Sequence, residues 1–310
     1  MAKTRVSLGR VVTAMVTPFD DSGNVDINGA GELANWLHQH GSDSLVLCGS
    51  TGEGSLLSDQ EREDLYRAVV SSVPIPVVAA TGSADTVHSI DLTRSAEKCG
   101  VDAILLVTPY YVRPSQDGLK DHFRKVANST ELPVVLYDIP VRSGRRIEVS
   151  TTLELASSVD NIVGIKDASQ DVGSISRIVG MTGEDFQVYC GDDSLCLAMV
   201  ACGAIGVISV ASHWAGDAIS AMLDAVASGD IAQAANLNFI LGDSWDFESG
   251  PDFPNPLPTK ALLRTLGLPA GRCRPPLGSS LDELALENRA REVLHELAQK
   301  LSKYSISSIV

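Results

Sequence analysis

The chain is short of aromatic residues, at 5% of its 310 positions, and of positive charge, with 24 lysines and arginines against 39 acidic residues. The resulting formal charge of −15 repels phosphate backbones and anionic lipid, so neither nucleic acid nor a membrane surface is an expected partner. An anionic substrate would need a local Arg or Lys to hold it. No apolar run approaches the ~20 residues of a membrane span. The opening "MAKTRVSLGRVVTAMVTPF" has basic residues, but its apolar part reads as a strand ending at Pro18 and has no A-x-A exit, so no secretory signal is expected. Six cysteines (Cys48, Cys99, Cys190, Cys196, Cys202 and Cys273) include no C-x-x-C pair and mostly sit among apolar neighbours. That points to reduced, buried thiols in a cytoplasmic protein, and away from disulfides or a metal site. A Gly-rich phosphate turn after the first strand is also missing, since "TPFDDSGNVD" is not one. This argues against a doubly wound open sheet.

What is present is an ordinary globular balance, 44% hydrophobic and 20% charged, arranged as short β-rich runs alternating with helical stretches. Strands are predicted at 11–19, 44–49, 76–82, 103–111, 133–140, 162–169, 187–193 and 204–211. Helical patterns lie between them. In the helix predicted at 59–71, Ser58 can cap the N-terminus and Glu61 can complete a capping box. The helix at 115–128 repeats the theme, although Gly118 is a poor helix former near its start. Eight β-then-α units over about 225 residues predict an α/β fold, a (β/α)8 TIM barrel. From Asp230 onward only helical patterns follow, interrupted by the Pro-rich "GPDFPNPLP". The expected division is a catalytic barrel, 1–229, and a C-terminal helical extension, 230–310.

In such barrels the chemistry lies at the C-terminal ends of the strands. There the sequence places "CGSTGEG", "TPYY", "YDIPVRSG", a lysine within "NIVGIKDAS", and "GDD". Strict alternation would put Ile162, Gly164 and Lys166 on one face, with Val163 and Ile165 on the other. If the first set faces inward, burial would lower the Lys166 pKa from about 10.4 toward neutrality, and a neutral amine can form a Schiff base with a carbonyl. The competing reading pairs Lys166 with a buried carboxylate, Asp167, Asp192 or Asp193. Tyr137 is either a proton relay or an amphipathic core tyrosine. Thr51 sits among small residues that let a ligand approach, or simply marks a tight turn. Tyr110 and Tyr111 must face different ways, one into a site and the other against a neighbouring element or subunit. Arg142 is the cation expected for a substrate carboxylate, or an exposed loop arginine. Asp192 and Asp193 lack the His or Glu support that a metal site needs, and His38 and His40 do not share a helix face. No metal is expected.

In combination, "TAMVTPF", "GSTGEG", "TPYY", "YDIPVRSG", "GIKDAS", "GDD", "GAIGVISV" and "PNPLPTK" run in one order over nearly the whole chain. The chain resembles the dihydrodipicolinate synthase/N-acetylneuraminate lyase family of lysine-dependent class I aldolases. The resemblance implies a TIM barrel with a helical extension, assembled as a homotetramer, with no cofactor beyond a covalent imine of pyruvate on Lys166. It makes Tyr137 the proton shuttle, with Thr51 and Tyr111 completing the relay and Tyr111 reaching across from another subunit. Ser50 and Thr51 would hold the pyruvate carboxylate, while Gly191 and Ile208 would form the wall near the imine. Arg142, in "PVRSG", matches the arginine that takes the carboxylate of aspartate semialdehyde in the lysine-pathway synthases. Ser50, where those synthases usually carry threonine, is more typical of the sialate lyases. Losing a methyl matters less than losing a charged contact of ~1.5–3 kcal/mol, so the synthase branch is expected and a sialate or related 2-keto-acid lyase is the alternative. A catalytically silent barrel is a third reading. In lysine-inhibited relatives an Asn and a Glu follow strand three. The matching positions here are Ala84 and His88, which predicts weak or absent feedback by lysine.

Overall fold

A computed structural model describes residues 7–248, 250, 253–278, 283–304 and 306. Eight parallel strands close into a barrel in sequence order: β1 (Val11–Ala14), β2 (Ser44–Leu47), β3 (Val77–Ala80), β4 (Ala103–Val107), β5 (Val134–Asp138), β6 (Ile162–Asp167), β7 (Gln187–Cys190) and β8 (Gly206–Ser209). Every strand is buried on nearly all positions, because one face fills the barrel and the other meets the surrounding helices. The (β/α)8 expectation is met. The strands end earlier than expected, however: β1 at Ala14 and β4 at Val107, with the "TPF" and "TPYY" segments passing into mouth loops.

Helix Asp59–Ser72 begins as expected: Ser58 Oγ accepts from Glu61 N at 3.3 Å, and Glu61 Oε2 accepts from Ser58 N at 2.8 Å. Such a cap stabilises by about 1 kcal/mol. Gly118, the poor helix former, sits in the first turn of Gln116–Ala127, where its N–H donates to the capping Ser115 Oγ. A Cβ there would lie 3.3 Å from Pro114 Cβ, so the glycine suits the tight entry.

Alternation along β6 fails in one respect. Val163, not Ile162, packs in the barrel interior, beside Val135 and Tyr137, while Ile162 and Ile165 join the outer layer against the helices. The cause is a register shift against β5, where Val134 pairs with Ile162 but Val135 pairs with Gly164. That bulge adds a residue and resets the faces. Gly164 is needed beside it, because a Cβ would come within 2.4 Å of Gln187 O on β7.

Beyond β8, helix Ser212–Ala227 completes the barrel, and helices Ile231–Glu248, Leu257–Thr265 and Glu283–Leu301 follow. Ala234, Leu237 and Leu241 belong to the same apolar cluster as the barrel's outer layer, and Trp214 Nε1 donates to Ser244 Oγ. The helical segment therefore shares the barrel's core.

Candidate active site

The strand ends surround a cavity of about 580 Å³ at the barrel mouth. Lys166, on β6, is 5% exposed and lines it. Its Nζ lies 4.4 Å from the centroid of the Tyr137 ring on the neighbouring strand, with the two residues in register. The three carboxylates that could have neutralised the lysine are held by other groups. Asp167 Oδ1 accepts from Ser169 N, Asp192 accepts from Ser194 and Gln170, and Asp193 Oδ2 accepts from the Val210 and Ala211 amides. A nitrogen so placed can reach a ligand in the cavity.

Ser50, Thr51, Tyr137, Arg142 and Gly191 line the same space. Thr51 is buried and Ser50 exposed. Gly191 is required for the lysine to pass, since a Cβ there would sit 3.0 Å from Lys166 Cε and 2.9 Å from Ala168 Cβ. Arg142 stands on the short helix Pro140–Ser143 at the rim, where its guanidinium donates to Asn255 O at 3.4 Å. An adjoining cavity of about 220 Å³ is lined by Ser50, Tyr110, Tyr137 and Arg142.

Two of the expected site residues do not line the chain's own cavity. Ile208 packs within the barrel below the cavity, in the cluster that holds Tyr137, and Val210 takes the lining position instead. Val210 lies past the end of β8, level with the mouth, whereas Ile208 sits within the strand. Tyr111 is 92% exposed, in a left-handed backbone conformation with φ of +72°, and points away from its own chain's cavity. Of the tyrosine pair, Tyr110 faces the chain's own site.

The structure also brings forward groups that strand-end reasoning missed. Glu53, in the "GSTGEG" loop, forms an ion pair with Lys260 at 2.6 Å, and neither side chain has any exposure. Lys260 Nζ also donates to Arg272 O and lies 4.0 Å over the Phe19 ring, while Glu53 Oε2 accepts from Arg274 N. Burial pushes the Lys260 pKa down even with Glu53 beside it. The "PTK" motif of the extension thus pins the loop that presents Ser50 and Thr51. The glycine after Glu53 allows the turn, because a Cβ at Gly54 would fall on Cys48 O. Buried charges in "GEG" and "PTK" were the available signal, but nothing in their spacing says that they meet.

His213 Nε2 accepts from Val16 N at 3.1 Å and Nδ1 donates to Val210 O, tying the ends of β1 and β8 together. Burial holds its pKa down at about 4, so the ring is neutral. Asp138, behind Tyr137, is lifted to about 7 by burial. Among the described residues no cluster of His, Cys, Asp and Glu could hold a metal ion.

Residues 7–297 match the "Dihydrodipicolinate synthetase family". The chain belongs to that family. A 4-hydroxy-tetrahydrodipicolinate synthase of Moorella thermoacetica is 46% identical over 278 residues, covering 89% of this chain and 94% of the relative. Among solved structures, a dihydrodipicolinate synthase from Bacillus anthracis is 42% identical with a TM-score of 0.88, covering 93% of this chain and 99% of the other. A family member from Cyanidioschyzon merolae, solved with lysine bound, is 38% identical with a TM-score of 0.89, covering 94% and 98%.

Proposed function

We propose that this protein is a 4-hydroxy-tetrahydrodipicolinate synthase, condensing pyruvate with aspartate semialdehyde in lysine and diaminopimelate biosynthesis. The observation that carries the reading is a buried lysine nitrogen, in no ion pair with a carboxylate among the described residues, in one cavity with an arginine at its rim. The names of the similar proteins support it. Lys166 Nζ attacks the ketone carbon of pyruvate, the carbinolamine loses water, and a C3 proton leaves to give the enamine. The enamine carbon then adds to the aldehyde, and the amine of the second substrate attacks the resulting imine carbon, breaking its bond to Lys166 Nζ and freeing the lysine. Tyr137 and Thr51 relay the protons, Tyr111 completes the relay from a neighbouring subunit, and Ser50 and Thr51 hold the pyruvate carboxylate. Arg142 takes the carboxylate of the second substrate. The scheme needs no cofactor beyond the imine. Among the described residues no helix is long and apolar enough to cross a membrane. Four buried free thiols fit a reducing, cytoplasmic setting.

A steady-state comparison tests this reading. Aspartate semialdehyde plus pyruvate is expected to turn over, and N-acetylneuraminate is not; the reverse result would make the protein a sialate lyase on the same imine chemistry. Borohydride reduction in the presence of pyruvate is expected to add the pyruvate mass to the peptide holding Lys166, and a chain left unmodified would remove the mechanism.

Weak lysine feedback is part of the same proposal. His88 Nε2 lies 3.1 Å from Asp59 Oδ1, so that carboxylate already faces an imidazole. Ala84 offers no polar group. Lysine titrated to millimolar concentration is expected to leave the rate largely unchanged, and half-inhibition at micromolar lysine would overturn that expectation.

A further inference from the structure

Three carboxylates line the cavity: Asp192, Asp246 and Glu248. They differ in what holds them. Asp192 Oδ1 accepts from Ser194 N and Oγ, and Oδ2 accepts from Gln170. Asp246 is exposed, where water weakens any ion pair to ~1 kcal/mol or less. Glu248, the last residue of helix Ile231–Glu248, is only 7% exposed, and its Oε2 has no hydrogen-bond partner. It faces Asp193, whose Oδ1 is likewise unpartnered although Oδ2 accepts from two backbone amides. Two buried carboxyl groups set side by side must share a proton, or their like charges drive them apart. Burial and the charges of Asp193 and Asp192 do raise the Glu248 pKa well above the usual carboxylate range, with Lys166 opposing. Asp193 is raised as well, by its own burial.

A desolvated acid whose second oxygen meets only another acid calls for a cationic or donating ligand, and the same cavity already carries a guanidinium at its rim. We propose that Glu248 sets the specificity for the second substrate by receiving the ammonium group of an amino-acid aldehyde whose carboxylate rests on Arg142. The inference rests on the synthase reading and deepens it. When the ammonium arrives, the shared proton settles on Asp193 and the single negative charge of the pair moves to Glu248, so no net proton is gained or lost. The lysine nitrogen is by then part of a neutral enamine and does not repel the incoming cation. An aldehyde acid without the amino group leaves the pair as it is and loses the contact.

The experiment compares aspartate semialdehyde with succinic semialdehyde, the same four-carbon acid without the ammonium, in the wild type, Glu248→Gln and Glu248→Asp. The wild type is expected to favour the amino-bearing aldehyde at least 10-fold in kcat/KM. E248Q should lose most of that preference through a raised KM for aspartate semialdehyde, while the KM for pyruvate and borohydride trapping at Lys166 stay unchanged, which also shows that the variant is folded. E248D, which keeps the acid, should retain more of the preference than E248Q. A wild type that does not distinguish the two aldehydes overturns the proposal, as does an unchanged ratio in E248Q or an equal loss in both variants. Should E248Q form no imine, the KM of E248D for aspartate semialdehyde against that of the wild type decides. If the wild type does not turn over aspartate semialdehyde at all, the synthase reading itself has failed and this one falls with it.

Discussion

Asp138 shows how far the environment of a single side chain can depart from its type. Its Oδ1 accepts from Ile147 N at 3.0 Å, but Oδ2 has only the Arg146 Nε at 3.8 Å, and Asp167 stands nearby. Burial raises its pKa from 3.8 to about 7. A carboxyl raised in the fold binds its proton more tightly there than in the unfolded chain. Its contribution is therefore fully present below about pH 4 and lost as the pH rises toward and past 7. Asp138→Asn keeps the acceptor and cannot ionise, so its stability relative to the wild type is expected to improve by ~1–3 kcal/mol between pH 5 and pH 8. Thermal unfolding of both proteins at the two pH values checks this; parallel profiles would mean that Asp138 is not the titrating group. At the same scale, the placing of Lys166 and Arg142 at the cavity was legible from the sequence, because an isolated cation in an apolar run or a rim loop has few structural uses. Glu248 was not legible. It ends a helix rather than a strand, and its neighbour Asp193 is 55 positions away.

At the scale of elements, the "GSTGEG" loop depends on the extension. Glu53 and Lys260 meet without exposure, and the pair joins the "GSTGEG" loop to helix Leu257–Thr265. Removing one partner of a buried pair leaves the other charge uncompensated, so Lys260→Met is expected to cost ~3–5 kcal/mol. Combining it with Glu53→Gln should recover part of the loss, since no lone charge then remains. Melting temperatures of the two single variants and the double variant measure this directly, and strictly additive losses would show that the two residues are not coupled. Element order and type were readable from the sequence, as was the Ser58–Glu61 cap. The faces of β6 were not, because the bulge against β5 arises from how two strands pair and neither strand announces it alone. The early ends of β1 and β4 have the same origin: a strand stops where its neighbours stop pairing with it.

For the whole molecule, the question is whether one chain makes a complete site. Tyr111 is almost fully exposed, while Tyr110 faces the chain's own cavity. If Tyr111 serves a neighbour's site in a tetramer, two inactive variants should rescue one another. Tyr111→Phe and Lys166→Ala, each expected to lose at least 10-fold in kcat, should regain activity when mixed under conditions of subunit exchange. Only in the mixed assembly does one site combine an intact Lys166 with an intact Tyr111 from the partner. No recovery, with exchange shown by mass, would confine each site to its own chain. The proposed boundary at 229/230 marks a change of element type rather than of core, since the extension's Leu237 and Leu241 pack into the barrel's outer layer.

The sequence by itself determined the alternation of strands and helices, the barrel that eight such units must close, and the lysine at the end of the sixth strand. Those follow from local periodicity and from where a charge interrupts it. The tertiary structure alone decided which face of β6 turns inward, that Glu53 meets Lys260, and that Glu248 arrives beside Asp193 at the mouth. Each of these joins residues far apart in the chain, and burial gives such pairs their energies only after folding has brought them together and taken the water away.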